Sequence, residues 1–285
     1  MSKRPSIVYQ VKSRLMGMAA YGCSKHDDKL ANGGKPRQDR IYSGQTMTTY
    51  MRCCAQFAVW VRKQYGCKWI ADARVYVGVY LQRRMDRGLS GWTIRRDACA
   101  LAKLYQCRST EFGVKLPTRC RADVKRYADA ESKAAEFEAS YPELAQACKC
   151  CGLRVHELRL LRTDDVTVNE KGKCVVTVRK GKGGKRRYVI ALDQTVQHCA
   201  TGASRAGREF VFSAVPRDAP VHWYRHIFAQ LLYDRLARPV HQIPKKDRYV
   251  CRAERKGCVY DKRAMRTVSK ALGHKRLGVV TYYIR

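Results

Sequence analysis

The sequence predicts a mainly α-helical chain in two domains, a helical bundle followed by an α+β domain with a small antiparallel sheet. Three observations carry this. Apolar residues recur at i, i+3, i+4 and i+7 through residues 41–110, the period of buried helix faces. The periodicity lapses near 111–121, where Gly113 and Pro117 stand. Beyond that, two runs at 174–179 and 187–192 alternate with period two around a glycine-rich turn, Gly181-Lys-Gly-Gly184.

Taken in order, residues 7–20 read as a short helix, and 22–40, rich in Gly, Asn, Asp and Lys with Pro36, as a weakly ordered connection. Residues 1–40 are therefore expected to form a partly flexible N-terminal extension. Met47, Tyr50, Met51, Cys54, Phe57, Ala58 and Val61 mark one buried helical stripe. Val75, Tyr76, Val79 and Tyr80 pair at i, i+4 in a second helix that the turn at 88–91 ends, and Ile94, Ala98, Leu101 and Tyr105 mark a third. The bundle spans 41–110, a linker 111–121, and the second domain 122–285. There a helical stretch over 123–161, broken at Pro142 and Gly152, leads into the hairpin, and helices resume over 221–236 and 262–272. Phe228, Leu231, Leu232 and Leu236 give the helix after Val221 its apolar stripe.

Composition narrows the function. The 285 residues carry 58 Lys and Arg against 24 Asp and Glu, a net charge of +34, which suits a polyanionic partner, with nucleic acid the leading candidate. No apolar run approaches the ~18 residues that mark a membrane span, and no secretion signal opens the chain, so the expected location is the cytoplasm. Fourteen irregularly spaced cysteines, among them Cys54, Cys99 and Cys199, read as reduced, packed thiols. Cys148, Cys150 and Cys151 are crowded, but no second ligand pair follows at metal spacing, and no metal is expected.

The chemistry-bearing residues gather in the second domain. Arg154 follows Gly152-Leu153 and opens a helix, where a guanidinium and helix-terminal amides can dock a phosphate. By itself such an arginine is ordinarily a solvated surface charge. His222 and Arg225 stand at i, i+3 on one helix face, with His226 adjacent. The plain alternative is a basic helix lying on DNA backbone, yet an arginine early in a helix packed into a core needs a reason.

In order, Cys151-Gly-Leu-Arg154-Val-His-Glu157, Gly181-Lys182-Gly-Gly-Lys-Arg-Arg187, His222-Trp-Tyr-Arg225-His226, Leu272-Gly273-His274 and Tyr283 resemble the signature of the tyrosine recombinase (phage integrase) family, over residues 144–283. The resemblance implies a helical (SAM-like) DNA-binding bundle followed by a catalytic domain. It makes Arg154, Lys182, His222, Arg225, His274 and Tyr283 catalytic, with Glu157 and His226 in support. Arg154 and Arg225 would bind the scissile phosphate, Lys182 would protonate the leaving 5′ oxygen, and Tyr283 would attack. Lys180 or Lys185 can take the place of Lys182 in this assignment, and Tyr282 is the rival nucleophile.

Lys180, Lys185, Arg186, Lys245, Lys246 and Arg248 are the expected DNA-backbone contacts, the last three within residues 238–260, which look like an insertion between two signature elements and carry Arg255 as well. A solvated charged loop is the alternative for that insertion. The family usually continues past the nucleophile into a helix that docks on a neighbouring protomer, whereas Tyr283 is followed here by Ile284-Arg285. The implied partners are double-stranded DNA and three further copies, a homotetramer on two sites, with no cofactor or ATP. The implied activity is site-specific recombination or integration for a mobile element, through a 3′-phosphotyrosyl intermediate and a four-way junction. A type IB topoisomerase-like relaxing enzyme and a non-catalytic DNA-binding regulator are the alternatives.

Overall fold

The computed structural model describes residues 5–120, 130–181, 184–252 and 255–284. The chain divides into two compact units, Met1–Lys125 and Arg126–Arg285. The first is a helical bundle: α1 (Ile7–Met16), α2 (Lys25–Ala31), α3 (Gly44–Tyr65), α4 (Val77–Asp86) and α5 (Gly91–Leu104). Serines begin four of the five. Ser6, Ser24, Ser43 and Ser90 each accept a backbone N–H from the first turn, satisfying a donor the helix cannot. The stripe of α3 is buried through Met47, Cys54, Phe57, Ala58 and Val61, and it packs on α5 through Ile94, Ala98 and Leu101.

Several expectations change here. The helix expected over 7–20 is α1, but its Ile7, Val11 and Leu15 join the bundle core, and the stretch read as a weakly ordered connection contains α2, which a serine cap and Asp27 and Asp28 in its first turn favour. Of the two pairs expected in the second helix, Tyr76 and Tyr80 lie on the core side and Val75 and Val79 do not. A 3-10 turn over Asp72–Tyr76 precedes α4, so Val77, Tyr80 and Leu81 face the core while Val75 and Val79 face solvent. Cys99 is exposed because it follows buried Ala98 by ~100° around α5, whereas Cys54 is buried and Cys199 half-buried.

The second unit contains α6 (Ala130–Ser140), α7 (Pro142–Cys151), α8 (Val155–Arg159), β1 (Val166–Val168), β2 (Cys174–Val178), β3 (Arg187–Ile190), α9 (Thr195–Arg205), α10 (Val221–Asp234), β4 (Arg248–Val250), β5 (Val259–Asp261) and α11 (Lys262–Leu272), then a 3-10 segment, Leu277–Tyr282. The predicted hairpin is β2–β3, with Val176 opposite Val189, and β1 adds a third antiparallel strand. Cys174, Val176 and Val178 alternate into the core. On α10 the buried face runs through Tyr224, Arg225 and Phe228, leaving Leu231 exposed. The predicted insertion contains a second hairpin, β4–β5. Cys148, Cys150 and Cys151 line the inner face of α7, where Cys150 and Cys151 donate to the Ala147 carbonyl.

Gly152 ends α7 and aims Arg154. Its φ of 56° is left-handed, and a Cβ there would lie 2.3 Å from Cδ1 of Phe228 on α10. Gly152→Ala therefore meets both a backbone and a packing penalty. We expect the unfolding free energy to fall by about 2 to 4 kcal/mol in urea titration; an unchanged midpoint would contradict this packing.

Candidate active site

The site is organised by the C-terminus of α11. Four carbonyls at a helix end lack intrahelical partners. A Schellman turn satisfies two of them: His274 N–H donates to Ser269 O at 2.9 Å and Gly273 N–H to Lys270 O at 3.0 Å, with Gly273 left-handed at φ 67°. Arginines from three other elements take the remaining two. Arg187 Nε donates to Ala271 O at 2.9 Å, while Arg154 Nη2, at 3.2 Å, and Arg225 Nη2 both donate to Leu272 O. Arg225 Nη1 also donates to Gly152 O, tying α10 to the turn before Arg154. The negative end of the helix dipole adds to each of these bonds.

Glu157 joins two of the arginines. Its buried carboxylate accepts both terminal nitrogens of Arg187 at 2.7 Å, Arg154 Nη1 at 2.9 Å and the Arg154 backbone N–H at 2.8 Å. Burial raises its carboxyl, but the bonds from Arg187 and Arg154 outweigh burial and set it at about 2. Gly181, at the root of the β2–β3 turn, lies against this pair, since a Cβ there would sit 2.9 Å from Arg187 Nη1.

Arg225 is 2% exposed. Burial, then the like charge of Arg154, pushes its guanidinium down to about 10, partly countered by Tyr283. It stays charged at neutral pH, and its Nε has no hydrogen-bond partner among the described residues. A desolvated cation with an unsatisfied donor favours a nearby anion.

Arg154, Arg225, His222, His274 and Tyr283 line one open cleft of about 590 Å³, together with Lys185, Lys275 and Arg276, and no acidic side chain lines it among the described residues. The half-buried Tyr283 ring lies 4.8 Å from the His226 ring, 5.4 Å from His274 and 5.9 Å from His222, and 5.7 Å from the Arg225 guanidinium carbon. Tyr282 is 51% exposed and does not line the cleft. Lys185 touches Lys275, a contact that pushes its ammonium below the usual lysine range.

Lys182 lies outside the described residues. Lys180 and Arg186 are exposed beside the hairpin turn. Lys245 and Lys246 are exposed on a 3-10 turn away from the cleft lining, and half-buried Arg248 donates to Ile243 O. Sequence reasoning missed Arg187, Lys275 and Arg276. A signal for the first existed: Arg187 shares a strand face with buried Val189, and a charge on an inward face needs a partner.

No protein-family model and no curated protein matches the chain. Solved structures do. The XerH site-specific recombinase, in a post-cleavage complex with palindromic difH substrate, is 16% identical and superposes with a TM-score of 0.54 over 98% of this chain and 90% of that one. The Tn1549 transposon integrase in complex with circular intermediate DNA is 14% identical with a TM-score of 0.49, over 98% and 94%. The XerA recombinase is 17% identical with a TM-score of 0.37, over 97% and 93%. At these identities the likeness is one of fold, and the XerH superposition carries it.

Because the Glu157 carboxyl titrates lower in the folded chain than its ordinary 4.5, the unfolded chain takes up the proton first as pH falls. Its contribution, about 3 kcal/mol, is complete above about pH 4.5 and disappears as pH approaches about 2. Glu157→Gln leaves two half-buried guanidinium groups short of a counter-ion in a buried site and should cost about 3 to 5 kcal/mol at neutral pH. Urea unfolding of both proteins from pH 6 to pH 2, a range on the order of the linkage window, should show the gap closing on acidification; a constant gap would refute the assignment.

Proposed function

We propose that this chain, whose fold is that of the tyrosine recombinases, is a site-specific DNA recombinase or integrase that breaks and rejoins DNA through Tyr283. The observation that carries the reading is the Tyr283 ring set among Arg225 and three histidines in a cleft whose charged lining is wholly cationic among the described residues. A phosphodiester brings a negative charge that grows on its non-bridging oxygens during attack. Arg154 and Arg225, held rigid by carbonyls of α11 and Gly152, meet that charge without reorganising.

Tyr283 Oη bonds to the scissile phosphorus as the bond to the 5′ oxygen breaks, leaving a 3′-phosphotyrosyl link and a 5′-hydroxyl. The phenol proton passes to the surrounding imidazoles, and the leaving oxygen takes a proton from Lys182, the role its place in the signature implies. The freed hydroxyl of a partner duplex then attacks the phosphotyrosyl bond, which returns the phenol and keeps the bond energy without ATP. Exchange between two duplexes needs four such centres, hence a tetramer and a four-way junction. The net charge of +34 favours the long polyanion this requires.

Nicked duplexes from DNA flanking the gene, which trap a cleaved strand, provide the test. Wild type and Tyr282→Phe should accumulate a covalent, protease-sensitive adduct, and Tyr283→Phe should form none. An adduct retained by Tyr283→Phe rejects the nucleophile, and no adduct with wild type rejects the enzyme in favour of a DNA-binding regulator. With intact duplexes, a four-way junction separates recombination from relaxation of a single duplex.

A further inference from the structure

The basic segment between α10 and α11 makes a set of contacts that phosphate binding does not explain. Its base is fixed by Arg238, whose Nε donates to Asp261 Oδ2 at 2.7 Å, and whose Nη2 donates to Asp261 Oδ1 at 2.9 Å and Asp247 Oδ2 at 3.0 Å. Asp261 is fully buried, caps α11 through the Arg263 N–H, and donates its own N–H to Tyr233 Oη at 2.9 Å. The β4–β5 hairpin is thus bolted to α10 and α11 at one end. A solvated charged loop would have none of these bonds.

At its other end the hairpin meets the segment that carries Tyr283. A Cβ on Gly278 would lie 2.8 Å from Tyr249 Oη, so β4 packs directly on the 3-10 segment Leu277–Tyr282. Half-buried Arg255, read from sequence only as one more basic residue, donates Nη1 to Thr281 O at 2.5 Å, to Ile284 O at 3.0 Å and to Tyr260 Oη at 3.2 Å. The two carbonyls bracket Tyr283, and the phenol ties the same nitrogen back to β5.

We propose that the β4–β5 hairpin is a clasp, and that Arg255 is a positioning residue that holds the Tyr283 segment in its own subunit's cleft by gripping the backbone on either side of the tyrosine. The inference rests on the reading of Tyr283 as nucleophile. A 3-10 turn is short and its hydrogen bonds are poorly aligned, so the turn alone places a side chain loosely. A guanidinium holding two carbonyls three residues apart removes that freedom. Displacing a reacting atom by ~1 Å costs on the order of 10²-fold in rate.

The test uses the full chain with Arg255→Ala and Arg255→Lys. Cleavage of the trapping duplex is followed at saturating DNA in a single turnover, with the dissociation constant and amide hydrogen exchange over residues 277–284 measured in parallel. Arg255→Ala should cleave about 10²-fold more slowly with DNA affinity within about twofold of wild type. Its amides at 277–284 should exchange about tenfold faster or more, as expected when local opening is made easier. Arg255→Lys, which keeps a donor, should fall between the two in both readouts.

Weakened DNA binding with cleavage at saturation unchanged would make Arg255 a backbone contact and overturn the clasp. So would exchange over 277–284 that matches wild type. If wild type forms no adduct, the reading of Tyr283 as nucleophile fails, while the exchange measurement still decides whether the hairpin holds the segment.

Discussion

The carbonyls at the end of α11 that lack intrahelical partners are the constraint on which the site depends. The Schellman turn closes over the carbonyls of Ser269 and Lys270 and leaves those of Ala271 and Leu272 to other donors, and guanidinium groups from the N-cap of α8, from α10 and from β3 converge on them. Arginine suits the place because its planar fork binds a fixed acceptor with part of its donors and keeps the others for a ligand. The same turn sets His274 immediately beyond the helix, so one local motif fixes both the anchor of the arginines and one histidine beside Tyr283.

Gathering arginines creates an electrostatic cost that the fold only partly offsets. Glu157 is shared between Arg154 and Arg187, and its carboxyl stays ionised against its own burial. Arg225 has no ion pair with a carboxylate among the described residues and donates to the carbonyls of Gly152 and Leu272. Lys185, Lys275 and Arg276 add charge at the cleft wall. Such an arrangement is poised for an anion, because a phosphate entering it supplies the counter-charge the protein withholds.

Tyr283 depends on a different kind of support. Its neighbours Val280 and Ile284 are buried in the core of the second unit, which fixes the path of the chain, while the aromatic contacts with His222, His226 and His274 surround the ring itself. The hairpin bearing Tyr249 and Arg255 presses on this segment from the other side. Arginines anchored on α11 and a tyrosine flanked by core residues meet at one cleft, and Leu272, Val280 and Ile284 belong to the same core.

Much of this was legible in the sequence, for identifiable reasons. The span of α11, residues 262–272, follows from its amphipathic period and the glycine after it, and the β2–β3 hairpin from alternation around a glycine-rich turn. Arg154, His222, Arg225, His274 and Tyr283, singled out in the sequence, are five of the residues that line the cleft. Which of the two pairs at α4 faces the core was not legible, because the 3-10 turn before it sets a rotation that apolar spacing does not encode. Nor were the tasks of Arg187 and Arg255, in a chain with 58 basic residues that look alike. Arg187 finds Glu157 across 30 positions and Ala271 across 84, and Arg255 finds Thr281 across 26. By itself the sequence determined most of the helices, the β2–β3 hairpin and the kinds of side chain available for phosphate chemistry, since periodicity and turn residues act within a few positions. Only the tertiary structure decided which cations are anchored and which of two adjacent tyrosines faces them, because a charged side chain gives up water only where distant carbonyls and carboxylates replace it.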